Sequence, residues 1–349
     1  EDFTVIGVGD MSGDVFGNGM LLSEHIRLTA AFNHMHIFID PNPNPKTSLV
    51  ERQRLFDLPR SSWSDYNVKL ISQGGGVFER RAKWVPLSTE MKEFFGVSVD
   101  KMTPNDMIKL ILKLDADLLW FGGIGTYMKA SGESHVDAGD RTNDAVRVNA
   151  REVRARVIGE GANLGVTQRA RVEYALAGGR MNTDSIDNSA GVDCSDHEVN
   201  IKILLDVLVA QNKLTMRSRN TLLERMTDEV GALVLWDNYE QTQAISIIQA
   251  RGTDLVDHQI RLMRMLEKAD RLNREVEFLP DDETLTERAI GGQGLTRPEI
   301  SVLLSYSKIW LFDELLASDI PDDPFLVRDL LRYFPTPLQS KYKDDIGQH

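Results

Sequence analysis

Gly7, Gly9 and Gly13 follow an apolar run in the segment Thr-Val-Ile-Gly-Val-Gly-Asp-Met-Ser-Gly-Asp-Val-Phe-Gly-Asn-Gly at residues 4–19. Glycine removes the Cβ that would hold the backbone away from a phosphate, and the N–H groups that open the next helix favour negative charge. The spacing, G-x-G-x-x-x-G, is one residue longer than the common dinucleotide fingerprint, but strand, turn and helix come in the order that fingerprint requires. Asp10, Met11 and Ser12 fill the turn and join the glycines as candidate pyrophosphate contacts. Gly17 and Gly19 fall inside the helix, where each costs about 1 kcal/mol relative to alanine. That cost implies close packing on the sheet or on a ligand.

Ribose recognition in such a unit lies about 20 residues beyond the glycines, at the end of the second strand, and this count lands on Asn33. Its amide can bond ribose hydroxyls but cannot repel a 2′-phosphate. Asp40, the next acid, sits beside prolines and serves equally well as a turn cap; His34 and His36 lie between. No Arg or Lys occurs between residues 28 and 45, so NAD is preferred over NADP. Two further segments carry chemistry: Val-Ile-Gly-Glu-Gly-Ala-Asn-Leu-Gly-Val-Thr at 157–167 and Asp-Asn-Ser-Ala-Gly-Val-Asp-Cys-Ser-Asp-His-Glu at 187–198. Asn163 and Asn188 each stand near a glycine and are candidate ligand contacts, with turn roles as the alternative. Ser195 fits S-x-x-E at a helix start, where its hydroxyl caps N–H groups or receives a carboxylate. The glycine runs at 74–76 and 122–125, including Gly123, are expected to floor a cleft.

These residues need a scaffold of parallel strands. Short β-like runs at 3–8, 26–32, 68–72, 117–121 and 156–158 alternate with helical ones, such as the stretch from Thr103 to Leu114. The fold expected is α/β, a Rossmann-like, doubly wound, mostly parallel sheet, followed by an all-helical region. Residues 1–200 would form the NAD-binding domain and 201–349 the helical domain, with the change of period between 196 and 215. Val199, Ile203, Val207 and Leu208 mark one amphipathic helix; Leu222, Met226, Val230, Leu233 and Val234 mark another; a third runs from Arg297 to Leu316 after the Gly291–Gly294 break.

The chain has 349 residues and a net charge of −13, which argues against nucleic-acid binding. A single cysteine, Cys194, excludes an internal disulfide framework and a multi-cysteine metal site, and reads as a buried small hydrophobe. No apolar run approaches the ~20 residues that span a bilayer. A cytoplasmic protein without membrane or nucleic-acid partners is expected. Glu1 in place of methionine points to an excised segment.

Through the motifs at 7–19, 120–127 (Trp-Phe-Gly-Gly-Ile-Gly-Thr-Tyr), 160–163 and 188–192, the chain resembles the glutamate dehydrogenases, most closely the large NAD-specific type of bacteria. The resemblance covers essentially the whole chain and is most specific over 4–200. It implies that Gly7, Gly9 and Gly13 cradle the pyrophosphate, that Asn163 meets the nicotinamide side and Asn188 its ribose, and that Ser195 contacts a substrate carboxylate. It implies NAD as cofactor, L-glutamate and 2-oxoglutarate as substrates, and a homo-oligomeric full-length enzyme. In that family the lysine and aspartate that do the chemistry come from a substrate domain preceding the glycine turn. An internal fragment is therefore expected, with no catalytic or metal-binding residue of its own, and neither Lys129 nor Asp140 is assigned a catalytic role. Two competing readings are a non-catalytic NAD-sensing or scaffolding module and a dehydrogenase of another amino acid.

Overall fold

In the computed structural model, which describes residues 1–348, the first apolar run becomes β1 (Phe3–Val8), with Val5 and Ile6 fully buried. It lies inside a six-stranded sheet with β2 (Ile26–Phe32), β3 (His36–Ile39), β4 (Gly76–Glu79), β7 (Leu118–Phe121) and β10 (Val157–Glu160). Two short ladders, β5 (Val85–Pro86) with β6 (Lys101–Met102) and β8 (Met128–Lys129) with β9 (Val148–Asn149), stand apart from it. The order is β10-β7-β1-β2-β3-β4; the first four strands are parallel, and β3 and β4 add on antiparallel. This is the expected α/β class with a mostly parallel sheet. Val8 pairs with both Phe32 and Phe121, and Phe121 with Glu160, so four strands end flush at one edge.

The antiparallel half departs from expectation. No strand forms over 68–72; Val68–Leu70 is a 3-10 turn, because the Asn67 side chain accepts the Lys69 N–H and Asp40 accepts the Ser72 N–H. The chain instead turns back after β2, where Asn33 Oδ1 accepts the N–H groups of Met35 (2.8 Å) and His36 (2.7 Å) and starts β3. The stretch from Thr103 is helical as read: Thr103 caps α4 (Pro104–Leu112), with α1 (Asp14–Gly19), α2 (Pro45–Asp57) and α3 (Thr89–Phe95) before it.

Two aromatic rings occupy space that missing Cβ atoms leave open. Phe16 on α1 is fully buried, and a Cβ added to Gly7, Gly9 or Gly122 would come within 2.6–2.7 Å of it. Trp120 on β7 has the same relation to Gly19, Gly159 and Gly161, at 2.5–2.9 Å. Gly17, for its part, lies against the Met11 carbonyl and the Phe56 ring. The helix glycines are thus explained by packing. Trp63 completes this layer: its indole N–H donates to the Gly9 carbonyl at 2.9 Å, and its ring stacks on Phe38 at 4.7 Å.

The chain divides into two compact units, residues 1–187 with 296–299, and 188–295 with 300–349. In the first, α5 (Gln168–Leu176) and α6 (Asp184–Asp187) follow β10. The described part of the second contains no strand. It opens with α7 (Ser189–Ala210) and α8 (Met216–Arg251); α9 (Val256–Lys268), α10 (Asp282–Ile290) and α11 (Arg297–Leu316) follow, α11 beginning in the 296–299 segment. Its core joins Ile201, Leu204, Leu205 and Leu208 of α7 to Met226 and to Phe334, Leu338 and Ile346. The buried stripe of α7 differs from the one read in sequence, since Val199 and Ile203 are more than half exposed while Ile201 and Leu204 are buried. Both sets obey a helical period, and only the neighbouring helices decide between them. No described helix is long and apolar enough to cross a membrane.

Two glycine substitutions should behave oppositely. Gly122→Ala places a Cβ 2.7 Å from the Phe16 backbone and should cost about 2 kcal/mol or more by overpacking. Gly231→Ala, in mid-α8 with nothing within 4 Å, should gain about 1 kcal/mol. Urea unfolding of the two variants measures both, and equal shifts would contradict the packing account.

Candidate functional site

Three loops leave the flush edge of the parallel strands. The first, Gly9–Gly13, starts where the Gly9 N–H donates to the Phe32 carbonyl at 2.8 Å; the second, Gly122–Gly125, where Gly122 donates to Val8 at 2.8 Å; the third, Gly161–Leu164, where Ala162 donates to Phe121 at 2.9 Å. Each strand hands its last hydrogen bond to its neighbour's loop, so the loops stay together. A Cβ on Gly123 would lie 3.3 Å from the Gly9 Cα, which brings these two sequence-predicted residues into contact. Gly9 adopts φ +141° and Gly125 φ +127°, conformations that side-chain-bearing residues rarely reach. Ile124 is 91% exposed at the tip of the second loop and Leu164 65% exposed in the third.

The first loop is held by its own acid. Asp10 Oδ1 accepts the N–H groups of Ser12 and Gly13, both at 3.1 Å, and the Ser12 hydroxyl at 2.7 Å; Oδ2 accepts Asn33 Nδ2 at 2.7 Å. Asn33 is therefore next to the glycine turn, as the spacing predicted. Both polar atoms of its amide have protein partners: Nδ2 donates to Asp10, and Oδ1 accepts from the β2–β3 turn. Met11 points its side chain into the core beside Phe16 and offers a ligand only its backbone. A cation invisible to the local reading comes from 47 residues away: Arg80 Nη1 donates to the Asn33 carbonyl at 2.9 Å, and burial lowers its pKa. Only the β3–β4 pairing, which the sequence did not announce, could have revealed it. Asp40 is fully buried, held by the Ser72 N–H and hydroxyl, and burial raises its pKa, so it is the turn cap.

The third loop is pinned by buried charge. Arg171 on α5 grips fully buried Glu160 with two hydrogen bonds, of 2.7 and 3.0 Å, and reaches Asp184 at 3.0 Å. These two acids and Asp187 take backbone N–H groups: Glu160 from Val166 (3.1 Å), Asp184 from Leu164 (2.8 Å) and Asp187 from the Glu160 amide (3.0 Å). Burial pushes Glu160 up to about 7, against the pull of Arg171, with Asp184 and Asp187 adding to the rise. Asn163 lies between these anchored positions, so the turn that carries it is defined from both sides. Lys129 and Asp140 have structural work: Lys129 Nζ donates to the Glu133 carbonyl and Asn149 Oδ1, each at 2.7 Å, and Asp140 accepts from Thr126 N–H (2.9 Å) and Asn143 Nδ2 (2.6 Å).

Asn188 and Ser195 belong to the second unit. Asn188 is the residue before α7, without a side-chain cap hydrogen bond. Ser195 does not start a helix as its S-x-x-E pattern suggested; α7 begins at Ser189, so Ser195 lies two turns in, exposed, and its hydroxyl bonds back to the Gly191 carbonyl at 3.3 Å. Cys194 is exposed rather than buried. The sequence reading overlooked His197, which is 1% exposed: its Nε2 lies 3.3 Å from Asp237 Oδ2 on α8 and 3.9 Å from Asp193 Oδ1, and its ring stacks on Tyr333. This imidazole–carboxylate pair fastens α7 to α8.

Residues 1–248 match the family described as bacterial NAD-glutamate dehydrogenase, catalytic domain, and residues 292–349 match glutamate dehydrogenase, C-terminal. Over its full length the chain is 57% identical to an NAD-specific glutamate dehydrogenase of Pseudomonas aeruginosa, 54% to one of Halomonas elongata and 52% to one of Mycobacterium tuberculosis. It spans 22% of the length of each of these relatives. A crystal structure of hetero-hexameric glutamate dehydrogenase from Thermus thermophilus, in its Leu-bound form, aligns with 67% of this chain and 40% of its own at a TM-score of 0.28 and 14% identity. By sequence, the chain belongs to the bacterial NAD-glutamate dehydrogenase family.

Proposed function

We propose that this chain is the cofactor-holding part of an NAD-dependent glutamate dehydrogenase, and that the loops after β1, β7 and β10 form the seat of the dinucleotide. The observation that carries this reading is the meeting of Gly9 and Gly123 at the carboxyl edge of adjacent parallel strands, where a crevice between loops receives nucleotides. The donor set fits the group. The N–H groups of Met11, Gly123 and Ile124 donate to no acceptor among the described residues, whereas those of Ser12 and Gly13 are taken by Asp10. The pyrophosphate would therefore be held by the open donors, with the Asp10 turn as a rigid shoulder.

Bound there, NAD supplies the hydride acceptor for oxidative deamination of L-glutamate to 2-oxoglutarate and ammonia. The contribution of this chain is placement. Asn163, on the loop that Glu160, Asp184 and Arg171 immobilise, would orient the nicotinamide end; Asn188 would meet its ribose; and Ser195, with an exposed hydroxyl on α7, would receive a substrate carboxylate. Neither Lys129 nor Asp140 is free to act on substrate. The groups that polarise the 2-oxo carbon and shuttle the proton then belong to a substrate domain elsewhere in the longer protein, and the chain alone turns over no glutamate.

Isothermal calorimetry should detect weak, saturable NAD binding to this chain. Gly13→Val, whose Cβ would lie 3.2 Å from the Asp10 carbonyl and 3.8 Å from Asp10 Oδ1, should weaken binding at least about tenfold, some 1.4 kcal/mol, with little change in melting temperature. Silence at millimolar NAD, or glutamate-dependent NADH formation by the chain alone, would refute this reading. Ser195→Ala should leave stability within about 0.5 kcal/mol, yet in the full-length enzyme raise the KM for glutamate about tenfold with the KM for NAD unchanged. An unaltered glutamate KM would remove Ser195 from the substrate site.

A further inference from the structure

At the opposite end of the same sheet, Arg151, Arg154, Arg156 and Arg180 line one cavity of about 600 Å³. It opens beside Asp117, just before β7, and Val157, the first residue of β10, a full strand length from the glycine loops. A volume of this size suits a small molecule. The backbone fixes Arg180 level with Val157 at the start of β10: the Arg180 N–H donates to the Arg156 carbonyl at 3.2 Å, and Ile158 donates back to Arg180 at 2.9 Å. Like charges gathered around one cavity repel unless a counter-charge is supplied.

The protein supplies little. Asp117 is the only carboxylate on the cavity wall, 3.3 Å from Arg156, and its other oxygen is committed to the Thr4 N–H and hydroxyl at 2.9 Å. Arg154 points Nε to the Lys113 carbonyl at 2.8 Å, which fixes its guanidinium without neutralising it. The guanidinium groups of Arg151 and Arg180 make no hydrogen bond or ion pair among the described residues. Four cations against one anion leave this wall at +3, in a chain whose net charge is −13. The floor competes for nothing: the Tyr174 hydroxyl is already turned onto the Ala155 carbonyl, and the Tyr174 ring lies where a side chain on Gly179 would sit.

We propose that this cavity is a second ligand site, for a compact polyanion bearing two or more phosphate or carboxylate groups. The planar guanidinium fork matches both kinds of oxyanion in two-point contact, and several forks around one cavity select for more than one charged group. Its distance from the glycine loops makes it independent of the dinucleotide seat.

The test is calorimetric titration of the chain with tripolyphosphate and, separately, citrate, at low salt and again with excess NAD. The expected result is saturable one-to-one binding of at least one probe, unchanged by NAD. Arg151→Gln/Arg180→Gln, confined to two exposed side chains, should weaken it about tenfold or more and leave NAD binding and the melting temperature as they were. Tripolyphosphate alone binding assigns the site to phosphate, citrate alone to carboxylate, and both to their shared chemistry. Displacement by NAD, equal binding by the double variant, or no saturable binding of either probe would overturn the proposal.

Discussion

Everything at the candidate edge depends on Phe16 lying where Gly7, Gly9 and Gly122 have no Cβ, its ring against the first two and its Cα and Cβ against the third. α1 has only six residues and cannot hold itself in place through its own hydrogen bonds. It is docked by this ring, which takes up the space beside β1 and the start of the β7 loop, and by Trp63, which meets Phe16 edge-on at 5.9 Å and bonds the Gly9 carbonyl. Burying an aromatic side chain of this size is worth several kcal/mol to the fold. That stabilisation offsets the entropy of ordering so many glycines.

A polar layer then shapes what the aromatic layer positions. Asp10 closes the first loop, and Asn33 ties that loop to the turn that reverses the sheet. On the other side of β1, Glu160, Arg171 and Asp184 anchor the third loop through both side-chain and backbone contacts. Backbone groups in such loops must find partners when they leave the sheet, and here buried carboxylates provide them. The same carboxylates would be costly without Arg171, so the loop and the ion pair stand or fall together. The result is an edge with rigid walls and a few unclaimed N–H donors, which is the kind of preorganisation a weakly held but well oriented cofactor requires.

Much of this was legible in the residues. The strands at 3–8 and 26–32, the strands ending at 121 and beginning near 157, and the helix behind Thr103 all carry local signals strong enough to survive packing. What failed had non-local causes. Val68–Ser72 looks like a strand, but Asn67 and distant Asp40 claim its backbone, and the sheet is extended instead by two four-residue strands too short to show a period. Ser195 carries a cap pattern in the middle of a helix because Asn188, seven residues earlier, already stands at the N-terminus of α7. The glycines were the most instructive case. Read along the chain, Gly7, Gly9 and Gly13 suggest a phosphate cradle and Gly17 and Gly19 close packing; Gly17 and Gly19 do pack, against a neighbouring backbone or aromatic rings, but Gly7 also answers to the Phe16 ring.

The most direct test of that seat is an amide-resolved NMR titration of the chain with NAD. The account predicts that resonances of residues 9–13, 122–125 and 161–164 shift together along one saturation curve, while those around Arg151 and Arg180 stay still. Saturable shifts confined to any other surface, with the three loops unmoved, would contradict it.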